Sequence, residues 1–307
     1  MVHGREGVGQ VEFASAFSQQ LLCENPTKEG LACGCCVACN WFALGNHPDF
    51  RLIQPESMAP ETDDEAAAPK KEKKSAQIRI EQVRELQDFL AVGTHRAGRR
   101  VILLHPADTM NAATQNALLK SLEEPPPGTV FLLATSRPHR LLATIRSRCR
   151  AIPLPFPDRP AASGWLEQQG VADAETLLAL AGGAPLTAAR MAESDAHRRR
   201  LIEQLRDARF DVVSACEHCL RVEPAEAVGW LQRWVYDLLS ARLSGKIRYH
   251  VEETGTLERL AAGPEPTALA GFLRVLMSAR ALSQHPLNTR LFFEDLLFKY
   301  RDLIAAT

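Results

Sequence analysis

No stretch of eighteen or more apolar residues occurs in this chain, so no segment of it is suited to cross a bilayer as a helix, and no membrane partner is expected. The N-terminal Met1-Val2-His3-Gly4-Arg5-Glu6 lacks an apolar core, which excludes a secretory leader and points to the cytoplasm. Charge of one sign is missing too: 36 Lys and Arg stand against 37 Asp and Glu, a formal net charge of −1. A chain so balanced is not a strong, salt-sensitive nucleic-acid binder by itself. It fits a protein-partner surface or a modest DNA footprint. Basic residues cluster at 96–100, 137–150 and 198–200, and each cluster reads as a solvated face, the last above all.

What is there suffices for two or three domains: 307 residues, 46% of them hydrophobic, can bury a sizeable core. Five of the eight cysteines fall between Cys23 and Cys39. In an intracellular chain such crowding reads as a metal site rather than as disulfides. Cys33-x-x-Cys36-x-x-Cys39 with Cys23 upstream supplies four thiolates, a set suited to tetrahedral Zn²⁺. Cys35 is surplus and competes with Cys36 for the fourth place. With all four positions filled, and with no general base nearby, the metal would be structural. Cys216-x-x-Cys219 lies in a helical context and reads as core packing.

Hydrophobic periodicity organises the rest. A helix is expected from Gln10 to Cys23, with Phe13, Phe17, Leu21 and Leu22 as its apolar stripe, and a strand over 49–53. Residues 55–76 carry three prolines, an acidic run and a lysine-rich run, and read as a flexible insertion. Ile80, Val83, Leu86 and Leu90 recur at helical spacing. Val101-Ile102-Leu103-Leu104 and 130–135 are unbroken apolar runs, as in parallel strands buried on both faces. Between them a helix is expected over 111–124, with Ala113, Ala117, Leu118 and Leu122 inward and Pro125-Pro126-Pro127-Gly128 ending it. This alternation indicates an α/β module over 1–156. Beyond Pro157 the pattern is helical: short helices over 177–181, 186–191 and 197–206 in a small domain (157–205), then longer ones in a second helical domain (206–307).

Gly4-Arg5-Glu6-Gly7-Val8-Gly9-Gln10-Val11 has the outline of a phosphate-binding loop, G-x-x-x-x-G-K-[ST]. The glycines Gly4, Gly7 and Gly9 fit, but Gln10 and Val11 stand where lysine and a metal-binding hydroxyl belong. A neutral amide brings no charge to a phosphate, and an isopropyl group ligates no metal. Such a loop follows a buried strand, yet three residues precede Gly4; an upstream helix and strand are therefore expected in the native protein.

Asn116-Ala117-Leu118-Leu119-Lys120-Ser121-Leu122-Glu123-Glu124-Pro125-Pro126, followed by Ser147-Arg148-Cys149, resembles two signatures of the clamp-loader subunits of bacterial DNA polymerase III, members of the AAA+ class. The cysteine cluster, 78–86 and the stretch at 287–291 match as well, so the likeness covers the chain apart from the insertion. The resemblance implies a P-loop NTPase-like AAA+ module with a zinc-binding insertion (23–39), then a helical lid and an all-α collar domain. AAA+ ATPases end the strand before the catalytic turn in Asp-Glu; here His105 and Pro106 occupy those positions. Four positions needed for hydrolysis are thus altered at once, which implies a non-hydrolysing subunit with no productively bound ATP. In the family the S-R-C arginine enters the neighbouring subunit's ATP site, a role that falls to Arg148, with Ser147 and Cys149 positioning its loop. Thr135-Ser136 and 182–190 match the two nucleotide-sensor regions and read as structural remnants. Implied partners are the gamma/tau and delta subunits, and the sliding clamp and primed DNA within the assembly. The alternatives are an active gamma/tau-type ATPase, opposed by Gln10, and a zinc-dependent nucleic-acid-binding protein, opposed by the balanced charge.

Overall fold

A computed structural model describes residues 1–59, 74–95, 98–283, 285 and 288–305. The chain divides into two compact units, Met1–Phe156 and Pro157–Thr307.

The first unit is built on five parallel strands: β1 (Val2–His3), β2 (Phe50–Ile53), β3 (Arg100–Leu104), β4 (Thr129–Thr135) and β5 (Ile152–Pro153), in the spatial order β2-β3-β4-β1-β5. The strand ahead of the glycine loop, expected upstream of Met1, lies instead within the chain as β1, two residues long, with Val2 fully buried. Strand side chains alternate between faces, so each strand feeds two cores. Val101, Leu103, Leu132 and Ala134 pack with Ala14 and Leu22 of α1 (Gln10–Leu22). Ile102, Leu104 and Leu133 pack on the other face with Val83 and Leu86 of α3 (Ile80–Ala91), Leu118 of α4 (Ala112–Glu123) and Ile145 of α5 (Ala143–Arg148). Every residue of β3 is buried, Val101 to Leu104 as their unbroken apolar run predicts. A short α2 (Val37–Ala43) follows the cysteine loop.

Two helical faces differ from expectation. α1 buries Gln10, Ala14, Ser18 and Leu22, a strict i, i+4 row, while Phe13 is 41% exposed and stacks on Phe17 at 6.2 Å. α4 buries Thr114, Gln115, Leu118 and Ser121, and Ala113 is exposed. Both faces tolerate polar groups because those groups are bonded: Ser18 Oγ donates to Ala14 O (2.7 Å), and Gln115 Nε2 donates to Met110 O (2.9 Å) while its Oε1 accepts from Leu142 N (2.7 Å).

Most of the expected insertion, 60–73, lies outside the described residues. Its flanks are tied together: Ser57 N–H donates to Ser75 O (3.0 Å), and Glu56 pairs with Arg79 (3.0 Å). Leu287 of the 287–291 stretch also lies outside them.

The second unit holds α6 (Arg159–Gln168), α7 (Ala174–Leu180), α8 (Pro185–Leu205), α9 (Val212–Cys219), α10 (Pro224–Ser244), α11 (Thr254–Ala261), α12 (Pro266–Leu282) and α13 (Thr289–Ala305). Pro opens α8, α10 and α12, where a missing N–H costs nothing. The short helices expected over 186–191 and 197–206 are one helix, α8. Asp195 holds it through the middle by pairing with Arg198 (2.7 Å) and Arg199 (2.5 Å) at i+3 and i+4. Arg198 is consequently buried, not part of a solvated face. Arg100 is buried too, its guanidinium on the carbonyls of Leu90 (3.1 Å) and Val92 (2.5 Å) and over the Phe89 ring.

α8 serves two cores. Ala188 and Met191 join Leu166, Leu177 and Leu178; Leu201, Ile202 and Leu205 join the larger core around Trp230, Trp234, Phe293 and Tyr300. Cys216 and Cys219 are fully buried in the latter, and burial raises both thiol pKa values, that of Cys216 to about 11. They are packing residues.

Candidate nucleotide-site remnant, surface arginine and metal centre

The carboxyl ends of β1, β3 and β4 bring three sequence-predicted elements to one edge of the sheet, where open α/β sheets place their ligands. After β1 comes the glycine loop. Gly7 and Gly9 take positive φ (81° and 110°), and Gly9 caps α1. A side chain at Gly4 would meet Leu154 O at 3.0 Å. The phosphate-loop shape is kept, but its interior is used differently. Gln10 is buried, and its Nε2 donates to Arg5 O (2.6 Å), so the side chain braces the loop from within. Val11 packs against the sheet.

After β3 comes His105-Pro106. His105 N–H donates to Ile53 O (2.9 Å), and burial pushes the imidazole below its ordinary pKa against the opposing pull of Glu12 and Asp108. Asp108, the nearest carboxylate to that position in sequence, is engaged elsewhere: it accepts from the hydroxyl of Thr135 at the end of β4 (2.6 Å). Thr135 Oγ1 in turn accepts from Arg137 N (3.0 Å). The edge therefore has glycine geometry and an internally satisfied Asp108–Thr135 pair, with neither a lysine in the loop nor an acidic pair at the end of β3.

Arg148 is the last residue of α5 and is exposed. Nη1 donates to Thr144 O (2.9 Å), and Nη2 pairs with Glu123 at the end of α4 (2.5 Å). Ser147 Oγ also donates to Thr144 O (3.0 Å), while Cys149 is half-buried, its thiol pKa raised by burial. These three residues thus form the C-terminal turn of a short helix anchored by the buried Ile145.

Cys23, Cys33, Cys36 and Cys39 converge, all four sulfurs lying within 4.8 Å of one another. A tetrahedral site with metal–sulfur bonds of about 2.3 Å needs sulfur–sulfur edges of about 3.8 Å. Cys23–Cys36 and Cys33–Cys39 are each 4.0 Å apart. Backbone N–H groups of Cys33, Cys36 and Cys39 donate to the sulfurs of Cys23, Cys33 and Cys36 (3.3, 3.3 and 3.4 Å), an arrangement that favours thiolate. Bonds from the backbone of Cys35 and Cys36 bring the Cys33 pKa down to about 6; burial pushes Cys39 up to about 12. Cys35 is exposed and outside the cluster, and Cys36 is the thiol that stands with Cys23, Cys33 and Cys39. The donor set fits a closed four-thiolate metal site.

A parallel P-loop NTPase-like sheet with a helical second unit defines a protein of the AAA+ type found in clamp loaders. A solved DNA polymerase III, gamma subunit-related protein from Thermotoga maritima shares this fold, with a TM-score of 0.50 at 18% identity over 99% of this chain and 94% of that one. Residues 1–158 match the family described as DNA polymerase III, delta subunit, and residues 192–302 its C-terminal counterpart. The chain is 30% identical to the DNA polymerase III subunit delta' of Escherichia coli over 97% of its own length and 87% of that protein's. It is 42% identical to that of Pseudomonas aeruginosa over 62% of its length and 54% of that protein's, and 34% identical to that of Yersinia pestis over 78% and 69%. The chain belongs to the family of DNA polymerase III delta' subunits. No described helix is long and apolar enough to cross a membrane.

Proposed function

We propose that this chain is a non-hydrolysing clamp-loader subunit that lends Arg148 to the ATP site of an adjacent subunit while the sliding clamp is placed on primed DNA. The observation that carries this reading is the joint replacement of the phosphate-binding lysine, the metal-binding hydroxyl and the acidic pair by Gln10, Val11, His105 and Pro106, within a loop and sheet that keep their geometry. Arg148 supports it: a guanidinium is always charged, and its planar fork matches phosphate oxygens. Gamma/tau and delta subunits are the proposed partners. Cys23, Cys33, Cys36 and Cys39 would hold a structural Zn²⁺, which supplies a cross-link and takes no part in the chemistry.

Reconstitution with gamma/tau and delta subunits tests the reading. Arg148→Ala is expected to leave assembly intact and to lower ATP turnover and clamp loading, arginine fingers being worth roughly 10³- to 10⁵-fold at the site they serve. Wild-type clamp loading by the variant, or ATP hydrolysis by the isolated chain, would overturn it.

A further inference from the structure

Arg148 is folded back along its own helix. One end of its guanidinium is on the Thr144 carbonyl, one turn earlier in α5, and the other is on the Glu123 carboxylate. Glu123 closes α4, and Glu124 follows as the C-cap residue. The end of a helix carries partial negative charge, so two carboxylates there are electrostatically misplaced unless a cation answers them. Lys120 is the one basic residue in that last turn; Arg148 comes from a different helix. Their contact joins the two sequence signatures, one containing Glu123-Glu124 and the other centred on Arg148.

The strength of the contact suits a temporary hold. The two side chains are 35% and 47% exposed, and an ion pair so open to water is weak. A terminal phosphate offers more negative charge and a bidentate match to the same fork. We propose that Glu123 is a positioning residue that parks the Arg148 guanidinium against α5, so that this carboxylate and the neighbouring subunit's γ-phosphate compete for it. The inference rests on the reading of Arg148 as a residue supplied in trans. After hydrolysis and phosphate loss the competitor is gone and the pair re-forms.

The test is steady-state ATP turnover of the assembled complex against ATP concentration. Four forms of this chain are compared with wild type: Glu123→Gln, Glu123→Asp, Arg148→Ala and the Glu123→Gln/Arg148→Ala double variant. Glu123→Gln keeps the shape and removes the charge. It is expected to lower the half-saturating ATP concentration by about two- to fivefold with kcat little changed, the range set by the weakness of an exposed pair. Glu123→Asp should stay near wild type, and Glu123→Gln should have no effect when Arg148 is Ala. If Glu123→Gln leaves half-saturation unchanged, or lowers kcat alone, in a complex that Arg148→Ala disables, parking is refuted and the trans role of Arg148 stands. If Arg148→Ala itself turns over normally, both fail.

Discussion

Asp237 is fully buried in the larger helical core, yet it accepts hydrogen bonds from the backbone N–H groups of Arg248 (2.9 Å), Tyr249 (3.1 Å) and His250 (2.8 Å) and pairs with the His250 ring (3.0 Å). One carboxylate thus fixes the turn after α10. The His250 ring lies edge-on to Trp234 at 5.3 Å, and Trp234 Nε1 donates to Tyr300 OH (2.7 Å), which donates to Leu205 O (3.1 Å). Burial acts to raise the Asp237 pKa, but the bonds from His250 and from the backbone outweigh it, and the net shift is downward. A depressed folded-state pKa contributes stability above the ordinary carboxylate pKa of about 3.9, and that contribution is lost as pH falls through the folded value. Asp237→Ala strands several buried donors and is expected to cost about 3–5 kcal/mol. Asp237→Asn should lower the urea midpoint at pH 6 and narrow the gap between wild type and variant below pH 3. A gap that does not change with pH would contradict the charge-based account. Nothing local announces this residue: it sits in a helical stripe, and its partners are eleven to thirteen positions away.

At the scale of elements, the cysteine segment shows what spacing can and cannot reveal. α2 has seven residues, too few to persist alone in water. Its N-cap is Cys36, whose sulfur accepts from Cys39 N, so one thiol of the four-cysteine cluster is also the helix cap. Removal of zinc by a chelator is therefore expected to melt α2 and raise amide exchange across 31–44, while β3 and β4 stay protected. Elemental analysis should give one zinc per chain. With metal bound, iodoacetamide should label Cys35 first and spare the other four cysteines of the segment. That four cysteines gather into one cluster was legible from composition and spacing. The place of Cys36 rather than Cys35 in that cluster was not, because it depends on three-residue steps placing 33, 36 and 39 on one side while 35 turns to solvent. The same limit explains α1 and α4. Apolar stripes mark the inner face only when core positions are apolar, and Ser18, Thr114, Gln115 and Ser121 are buried.

For the molecule as a whole, the parallel sheet was readable because strands covered on both faces leave unbroken apolar runs, and β3 and β4 have them. β1 was hidden, since two residues carry no periodicity. Each unit has its own cores, so calorimetry is expected to show separable contributions: chelation should lower the first unit's transition, and Asp237→Asn the second's. Loss of both together on chelation would argue against this division. The 21 residues of α8 were read as separate short helices because its apolar stripe changes partners midway, from the core around Leu166 to that around Trp230. A proline at the exposed Ala196 should cost roughly 3 kcal/mol or more and broaden the second unit's transition. A continuous helix of that length is a stiff strut about 30 Å long. A displacement of the core around Leu166 is therefore carried along α8 to the core around Trp230, and any hinge inside the second unit must lie outside this helix.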